Sequence, residues 1–176
     1  FTYETTRLSA YLKYGCISVR EMYYTLKKNT DLIRQLIWRE FYIHVLFAYP
    51  EVIGKSYQEK YRKIKWKGKP SHLKLWKEGK TGFPMVDACM RELNTTGYMH
   101  NRGRMLVATV LVKILLIDWR EGEKYFATKL TDYDVASNNG NWQNISSTGV
   151  DMTQYFRYMS PWSQSIKFDP KAEYIK

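Results

Sequence analysis

Acid is scarce in this chain of 176 residues: 17 Asp and Glu stand against 28 Lys and Arg, for a formal net charge of +11. That deficit favours a polyanionic partner, because every phosphate neutralised by a cation releases counterions, so nucleic acid is the first expectation. A basic protein with no such partner is the plain alternative. Cysteine is nearly absent. Cys16 and Cys89 are the only two and lack metal-ligand spacing, which excludes a disulfide scaffold and predicts two reduced core residues of an intracellular protein. Long apolar runs are missing as well. The longest, Met105 to Ile117, is interrupted by Lys113 and is too short to cross a bilayer, and the chain carries no leader pattern, so it is read as neither membrane-bound nor secreted. There is no Gly-rich phosphate loop, no His/Cys cluster for a metal and no nucleophile elbow. Catalysis would therefore rest on a bound cofactor, with no metal.

What the chain has in plenty is aromatic surface, 16% of its residues, with 15 Tyr and 6 Trp. Most of these rings belong in a core, and a surplus could stack on bases or on a planar cofactor. The apolar spacing is helical almost throughout, and no stretch alternates well enough for a strand, so the expected class is all-α. Thr30-Asp31 reads as the cap of a helix carrying Leu32, Leu36, Ile37, Phe41 and Val45 and ending before Pro50. Ser18 with Glu21 forms a capping box. Ser71 is expected to cap a short helix through Trp76. Pro84 opens a helix that Gly97 stops. Met105 to Leu116 should be a central buried helix, and Asp118 should cap the next. Lys55 to Lys80 reads as a solvated loop and a short helix, and after Gly149 the chain should wrap irregularly. It starts at Phe1 without Met and ends in Tyr174-Ile175-Lys176, which looks like the start of another helix, so a piece cut at both ends is expected.

Four constellations carry polar chemistry. Thr5-Thr6-Arg7-Leu8-Ser9 opens the first helix, where free N–H groups, hydroxyls and a guanidinium suit an anion, although simple capping explains it equally well. Trp38-Arg39-Glu40-Phe41-Tyr42 places polar groups inside an apolar helix, where they must be satisfied either by each other or by a ligand. His100-Asn101-Arg102-Gly103-Arg104 precedes the buried helix and suits phosphate or base contact, or only a capped helix start. Asp132 to Gln143 crowds two carboxylates, three Asn and a Gly into poor helix-forming sequence, as a ligand site or a set of Asx turns would.

Taken in order, these segments resemble the photolyase/cryptochrome family. The resemblance runs from Thr5 to about Asp169, through Leu36-Ile37-Trp38-Arg39-Glu40-Phe41, Gly82 to Ala88, Met99-His100-Asn101-Arg102, Asp118 to Glu123 and Asn138-Asn139-Gly140-Asn141-Trp142. It implies that residues 1–176 form a single all-helical FAD-binding domain, with an α/β antenna domain and its chromophore outside this chain. It also implies reduced FAD as cofactor, damaged DNA as partner, a monomer, and a place inside the cell wherever DNA is housed, whether nucleoid, nucleus or viral factory.

The resemblance further assigns roles. Thr5, Thr6, Arg7, Leu8 and Ser9 would hold the pyrophosphate, and Arg39 would contact the cofactor. Asp132, Tyr133 and Asp134 would line the flavin, Arg104 would pair with Asp132, and Asn138 would face the flavin N5. Trp142, Trp119 and Trp66 would relay electrons to it. Gln35, Trp38, Tyr42, Asn101, Arg102 and Met105 would approach a flipped-out lesion and its phosphates, with Lys60 to Lys69 adding positive surface. The implied activity is light-driven repair of pyrimidine dimers, that is, a DNA photolyase. The alternatives are a cryptochrome-type blue-light photoreceptor without repair and a cofactor-free DNA-binding module. Two positions depart from the pattern of cyclobutane-dimer repairers, which carry Glu where this chain has Gln35 and a second stacking Trp where it has Asn144. The paired His of six-four enzymes is replaced by His100-Asn101, and Asp132-Tyr133-Asp134 with Asn141-Trp142 is similar to DASH-type cryptochromes.

Overall fold

The computed structural model describes residues 5–150 and 158–176, and among these residues there are helices and no strands. In chain order the helices are α1 (Ser9–Lys13), α2 (Val19–Leu26), α3 (Thr30–Ala48), α4 (Pro70–Glu78), α5 (Pro84–Thr96), α6 (Asn101–Thr109), α7 (Trp119–Lys129), α8 (Val135–Ser146) and α9 (Pro161–Phe168). A π-helical turn, Val110–Ile114, prolongs α6.

The core forms around α6 and its π turn, where Leu106, Val107, Val110 and Leu111 are fully buried. Each such side chain is worth roughly 1.5–3 kcal/mol when withdrawn from water. Met85, Val86, Cys89, Met90 and Leu93 of α5 close one side, and Trp119, Phe126 and Trp142 of α7 and α8 close another. Helix α8 packs against both α7 and α3, and glycine is what permits the approach. A Cβ at Gly122 would sit 2.2 Å from the Trp142 ring, and one at Gly140 would sit 2.0 Å from the Tyr42 ring. Buried amides of α8 then tie down the loop after α3: Gln143 Nε2 donates to Val52 O and Lys55 O, and Asn139 Nδ2 donates to Val52 O, each at 3.1 Å.

Several helix ends match the residue chemistry. Ser18 Oγ accepts from Glu21 N–H, Asp118 caps α7, Pro84 stands at the first turn of α5, and Gly97 ends it at φ 70°. Others differ. The cap of α3 is Asn29, whose Oδ1 accepts from Leu32 N–H at 3.1 Å, so Thr30 and Asp31 already lie inside the helix. Pro70 opens α4 with Lys69 before it and no side-chain cap, leaving Ser71 in the first turn. The buried helix starts at Asn101, four residues before the apolar run, because the His100 side chain supplies the cap. The Asp132 to Gln143 segment is helical from Val135, since Asp134 caps it and burial outweighs the weak helix propensity of its asparagines. The chain beyond Gly149 includes α9, capped by Ser160. Tyr174 to Lys176 form no helix; Asp169 gathers the N–H groups of Glu173, Tyr174 and Ile175 into a turn. Cys16 is exposed, contrary to its expected place in a core; only Cys89 is buried, and burial pushes its thiol up to about 12.

Candidate cofactor cavity

A cavity of about 560 Å³ lies between α1, α3, α6 and α8, within the size range of ordinary ligand sites. The helix order brings distant residues to it: Thr5, Ser9, Gln35, Trp38, Arg39, Tyr42, Asn101, Arg104, Met105, Asp132, Tyr133, Asp134, Asn138 and Trp142 all line the wall. Thr6, Arg7, Leu8, Arg102, Trp119 and Trp66 do not.

The floor is polar and mostly satisfied. Asp132 Oδ2 accepts from Ser9 Oγ at 2.7 Å and from Arg104 Nη2 at 2.9 Å, and Arg104 Nε donates to Met99 O at 2.7 Å. The other carboxylate oxygen, Asp132 Oδ1, is buried without a partner. Unpaired buried acceptors are costly, so this one calls for a donor from a ligand. Asp134 caps α8 through Oδ1 and holds Lys13 Nζ at 4.0 Å from Oδ2. Asn138 Nδ2 donates to the Glu123 carbonyl at 3.2 Å. Only the amide nitrogen can make that bond, so the Oδ1 of this cavity-lining residue remains an acceptor for a ligand. Tyr133 has its phenol pushed upward by burial first, then by Glu123 and Asp134.

The rim is aromatic. Trp38 is 41% exposed and stacks on buried Tyr42 at 5.9 Å, with Phe41 edge-on at 5.5 Å. Asn101 and Gln35 are exposed beside it. Arg39 Nη1 donates to Glu40 Oε1 at 2.6 Å, so the helix satisfies this guanidinium in part and still presents it to the cavity. Gln35 and Asn144, the two departures, both line the wall.

Six predicted residues go elsewhere or stand back. Arg7, at φ 51°, lies over the Tyr98 ring and lines a separate cavity with Arg91, Glu92 and Tyr174. Thr6 Oγ1 accepts from Leu8 N–H, and Leu8 precedes the five-residue α1. Arg102 donates to Gln164 Oε1 at 3.3 Å and covers the Phe168 ring, so α9 engages it. Trp119 and Trp142 are buried in one core cluster and Trp66 packs, half-buried, at its margin. The indole that meets Trp142 edge-on is Trp76, at 6.3 Å, with Phe126 closer at 5.1 Å. Lys63 to Lys69 lie at the far end of α6: Gly68 N–H donates to Leu116 O at 2.8 Å. From Asn101 to Ile114 the helix rises roughly 20 Å, which separates this strap from the cavity rim.

Sequence reasoning missed Tyr98, whose hydroxyl meets Thr5 Oγ1 at 3.2 Å, and Lys13, Glu123 and Trp76. No local pattern marks them, since each acts through a contact with a residue distant in the chain. Among the described residues no group of His, Cys, Asp and Glu could hold a metal, and no helix is long and apolar enough to cross a membrane.

Known proteins fit this geometry. The pattern of the family described as the FAD binding domain of DNA photolyase matches residues 32–176. A deoxyribodipyrimidine photo-lyase of Escherichia coli (strain K12) is 45% identical over 98% of this chain and 39% of its own length. That of Halobacterium salinarum is 44% identical over 97% and 38%. The crystal structure of an archaeal photolyase from Sulfolobus tokodaii, holding two FAD molecules, superposes with a TM-score of 0.94 at 53% identity, over 97% of this chain and 40% of that one. A Synechocystis cryptochrome superposes at 0.90 with 38% identity, over 97% and 37%. The chain thus spans about two fifths of the length of the relatives it matches.

Proposed function

The chain belongs to the DNA photolyase family through its FAD-binding domain, and from that premise we propose that it is the catalytic part of an enzyme that repairs pyrimidine dimers in DNA with light. The observation that carries the reading is the buried, unpartnered Oδ1 of Asp132, a residue of the cavity wall that Asn138, its amide nitrogen committed to the Glu123 carbonyl, also lines. Two acceptors at fixed places suit a flat heterocycle with N–H groups on two edges, as a reduced isoalloxazine has. Bound and reduced, FAD supplies the excited-state electron that splits the dimer and takes it back, without net redox change.

The chain's own residues do the holding. Asp132, fixed by Arg104 and Ser9, accepts an N–H. Asp134 and Lys13 set the charge beside it, and Tyr133 packs at the wall. Asn138, aimed by the Glu123 carbonyl, accepts at the other edge. Thr5 and Ser9 face the pyrophosphate, and Arg39 adds positive charge. At the rim, Trp38 offers its ring to an extruded base, with Gln35, Tyr42, Asn101 and Met105 around it, and Arg102 adds charge next to Asn101. Taking the lesion out of the stack is the common solution for enzymes acting on a base. Asn144 in place of a second aromatic wall costs roughly 1–3 kcal/mol of stacking. Trp142, Trp119 and Trp66 serve as the electron relay, the antenna pigment belongs to the remainder of the protein, and the working unit is a monomer.

The test is illumination of the full-length, reduced protein with defined lesions. Blue light should remove cyclobutane dimers, and affinity for the damaged duplex should fall with added salt at a slope of about 0.9 per phosphate neutralised. Persistence of every dimer with FAD bound overturns the reading. A second reading, a photoreceptor without repair, is favoured by Gln35 and Asn144, because both departures stand inside the cavity. Repair of thymine dimers eliminates it.

A further inference from the structure

The strap between α3 and α4 carries charge that the cavity does not use. From Lys60 to Lys77 the sequence holds no acid, and Lys63, Lys65, Lys67 and Lys69 alternate through it. All four lysines are exposed, whereas Trp66 and Gly68 between them are half-buried. That alternation belongs to a chain running straight with one side against the protein. The inner side is held close. Trp66 packs against the core cluster, Gly68 N–H donates to Leu116 O at 2.8 Å, and a Cβ at Gly68 would meet Ile117 Cγ1 at 2.4 Å. The side turned to solvent is the lysine side.

The acids around it are spent elsewhere. Glu59 pairs with Arg62 and Glu78 with Lys80, each at 3.1 Å, and among the described residues none of the four lysines has an ion pair. Asp118, next to the Ile117 that the strap touches, accepts from Arg120 Nε with both oxygens at 2.9 Å. From Lys63 to Lys69 an extended chain covers at most about 20 Å. One strand of a DNA duplex presents a phosphate every ~3.4 Å of axis, so the row runs alongside about six of them. The cavity rim lies roughly 20 Å away along α6. At about 0.1 M salt, exposed charges are largely screened beyond about 10 Å, so these lysines do not serve phosphates at the rim through space. They act on an anion by touching it.

The make-up of the strap selects the partner. Ammonium groups are point charges that neutralise phosphates without reading bases. The indole of the row faces the core, so from Lys63 to Lys69 unpaired bases find no ring to stack on, and paired DNA fits better than a single strand. We infer that the Lys63–Lys69 strap is a second DNA contact, separate from the lesion site, that grips the backbone of undamaged duplex without regard to sequence. The inference rests on the proposed reading of the protein as one that works on DNA. It adds a hold on the duplex that needs no flipped base. Such phosphate contacts let a protein slide and hop along DNA, as a search for rare lesions requires.

The test uses the full-length, FAD-loaded protein and a variant with Lys63, Lys65, Lys67 and Lys69 all changed to Gln. A second variant, with Lys27, Lys28, Lys124 and Lys171 changed to Gln, removes the same charge from other exposed positions. Affinity for long undamaged duplex should fall on the order of tenfold or more in the strap variant at low salt. The slope of log affinity against log salt should shrink by up to about 3.6, four charges at about 0.9 each. The scattered variant should keep most of both. A dimer-containing oligonucleotide too short to reach from the rim to the strap should be bound and repaired equally by all three proteins at about 0.1 M salt. Unchanged affinity for undamaged duplex, an equal loss in the scattered variant, or an equal loss with the short oligonucleotide overturns the inference. Chemical acetylation of the parent, read by mass spectrometry, gives a second arm. Undamaged duplex should protect the four lysines several-fold more than polyglutamate of equal charge. Equal protection makes an acidic protein the partner and defeats the DNA assignment. If the strap behaves as expected while blue light repairs no dimer, the second contact stands and the repair reading of the cavity has failed.

Discussion

Arg104 grips one oxygen of Asp132 at 2.9 Å and leaves the other, buried, with nothing to accept from. The arrangement fixes the carboxylate and reserves half of its capacity. The side chain of Asp132 is 4% exposed and that of Arg104 25%, so the pair stabilises the cavity floor and orients the carboxylate for a donor.

Asp132→Ala should therefore cost about 3 kcal/mol of stability, the typical penalty for breaking a buried pair by removing one partner, and should abolish flavin retention. Ser9→Ala removes one exposed-side hydrogen bond and should cost about 1 kcal/mol or less. Thermal denaturation and bound flavin per chain measure both. Equal effects would deny Asp132 its special place.

Glycine at the helix crossings makes a second expectation. Gly140→Ala drives a methyl into the Tyr42 ring and Gly122→Ala into the Trp142 ring. Overpacking of this kind costs about 1–3 kcal/mol. Because Tyr42 and Trp142 line the cavity, flavin affinity should fall along with the melting temperature in both variants. A stable variant with full flavin occupancy would show that the helices give way without disturbing the wall.

Trp142→Phe should slow photoreduction of the flavin while already reduced enzyme keeps nearly all of its repair rate. The ring lines the cavity and meets Phe126 edge-on at 5.1 Å and Trp76 at 6.3 Å, so its loss interrupts supply and spares the lesion side. Single-turnover repair and photoreduction kinetics separate the two. A parallel fall in both would remove Trp142 from the relay.

His100 gives a pH dependence. Its Nδ1 accepts from Arg102 N–H at 3.1 Å and caps α6. Burial first, then Arg102 and Arg104, hold the imidazole below its ordinary range. The folded state thus prefers the neutral ring, and its contribution is complete above the unfolded value of about 6.5. Stability is lost as pH falls below that value and on through the lower folded one, because the unfolded chain binds the proton more readily. His100→Asn keeps a capping oxygen without a titration in this range. Melting temperatures between pH 5 and 8 should slope for the parent and flatten for this variant.

Much of the fold can be read along the chain. Ser18, Pro84, Gly97 and Asp118 mark helix ends by chemistry that acts within a few residues, and the helical period of the apolar positions needs no partner to be seen. The ends that were misplaced, at Asn29, Lys69 and His100, are those where the capping group competes with an equally plausible neighbour. The helix at Val135–Ser146 escaped local reasoning because its asparagines and Gly140 are favoured only by what surrounds them: Asn139 and Gln143 bind the loop at Val52, and Gly140 admits Tyr42.

The sequence by itself determined the all-helical class, the strong positive charge and the residue types of the cavity, since these follow from composition and short-range periodicity. Only the tertiary structure decided that Asp132 keeps an idle oxygen, that Asn138 spends its amide nitrogen on the Glu123 carbonyl, that Arg7 and Arg102 face other partners, and that the lysine strap lies far from the rim. Those facts depend on which backbone atoms, tens of residues away, occupy the space beside each side chain, and no local preference encodes that.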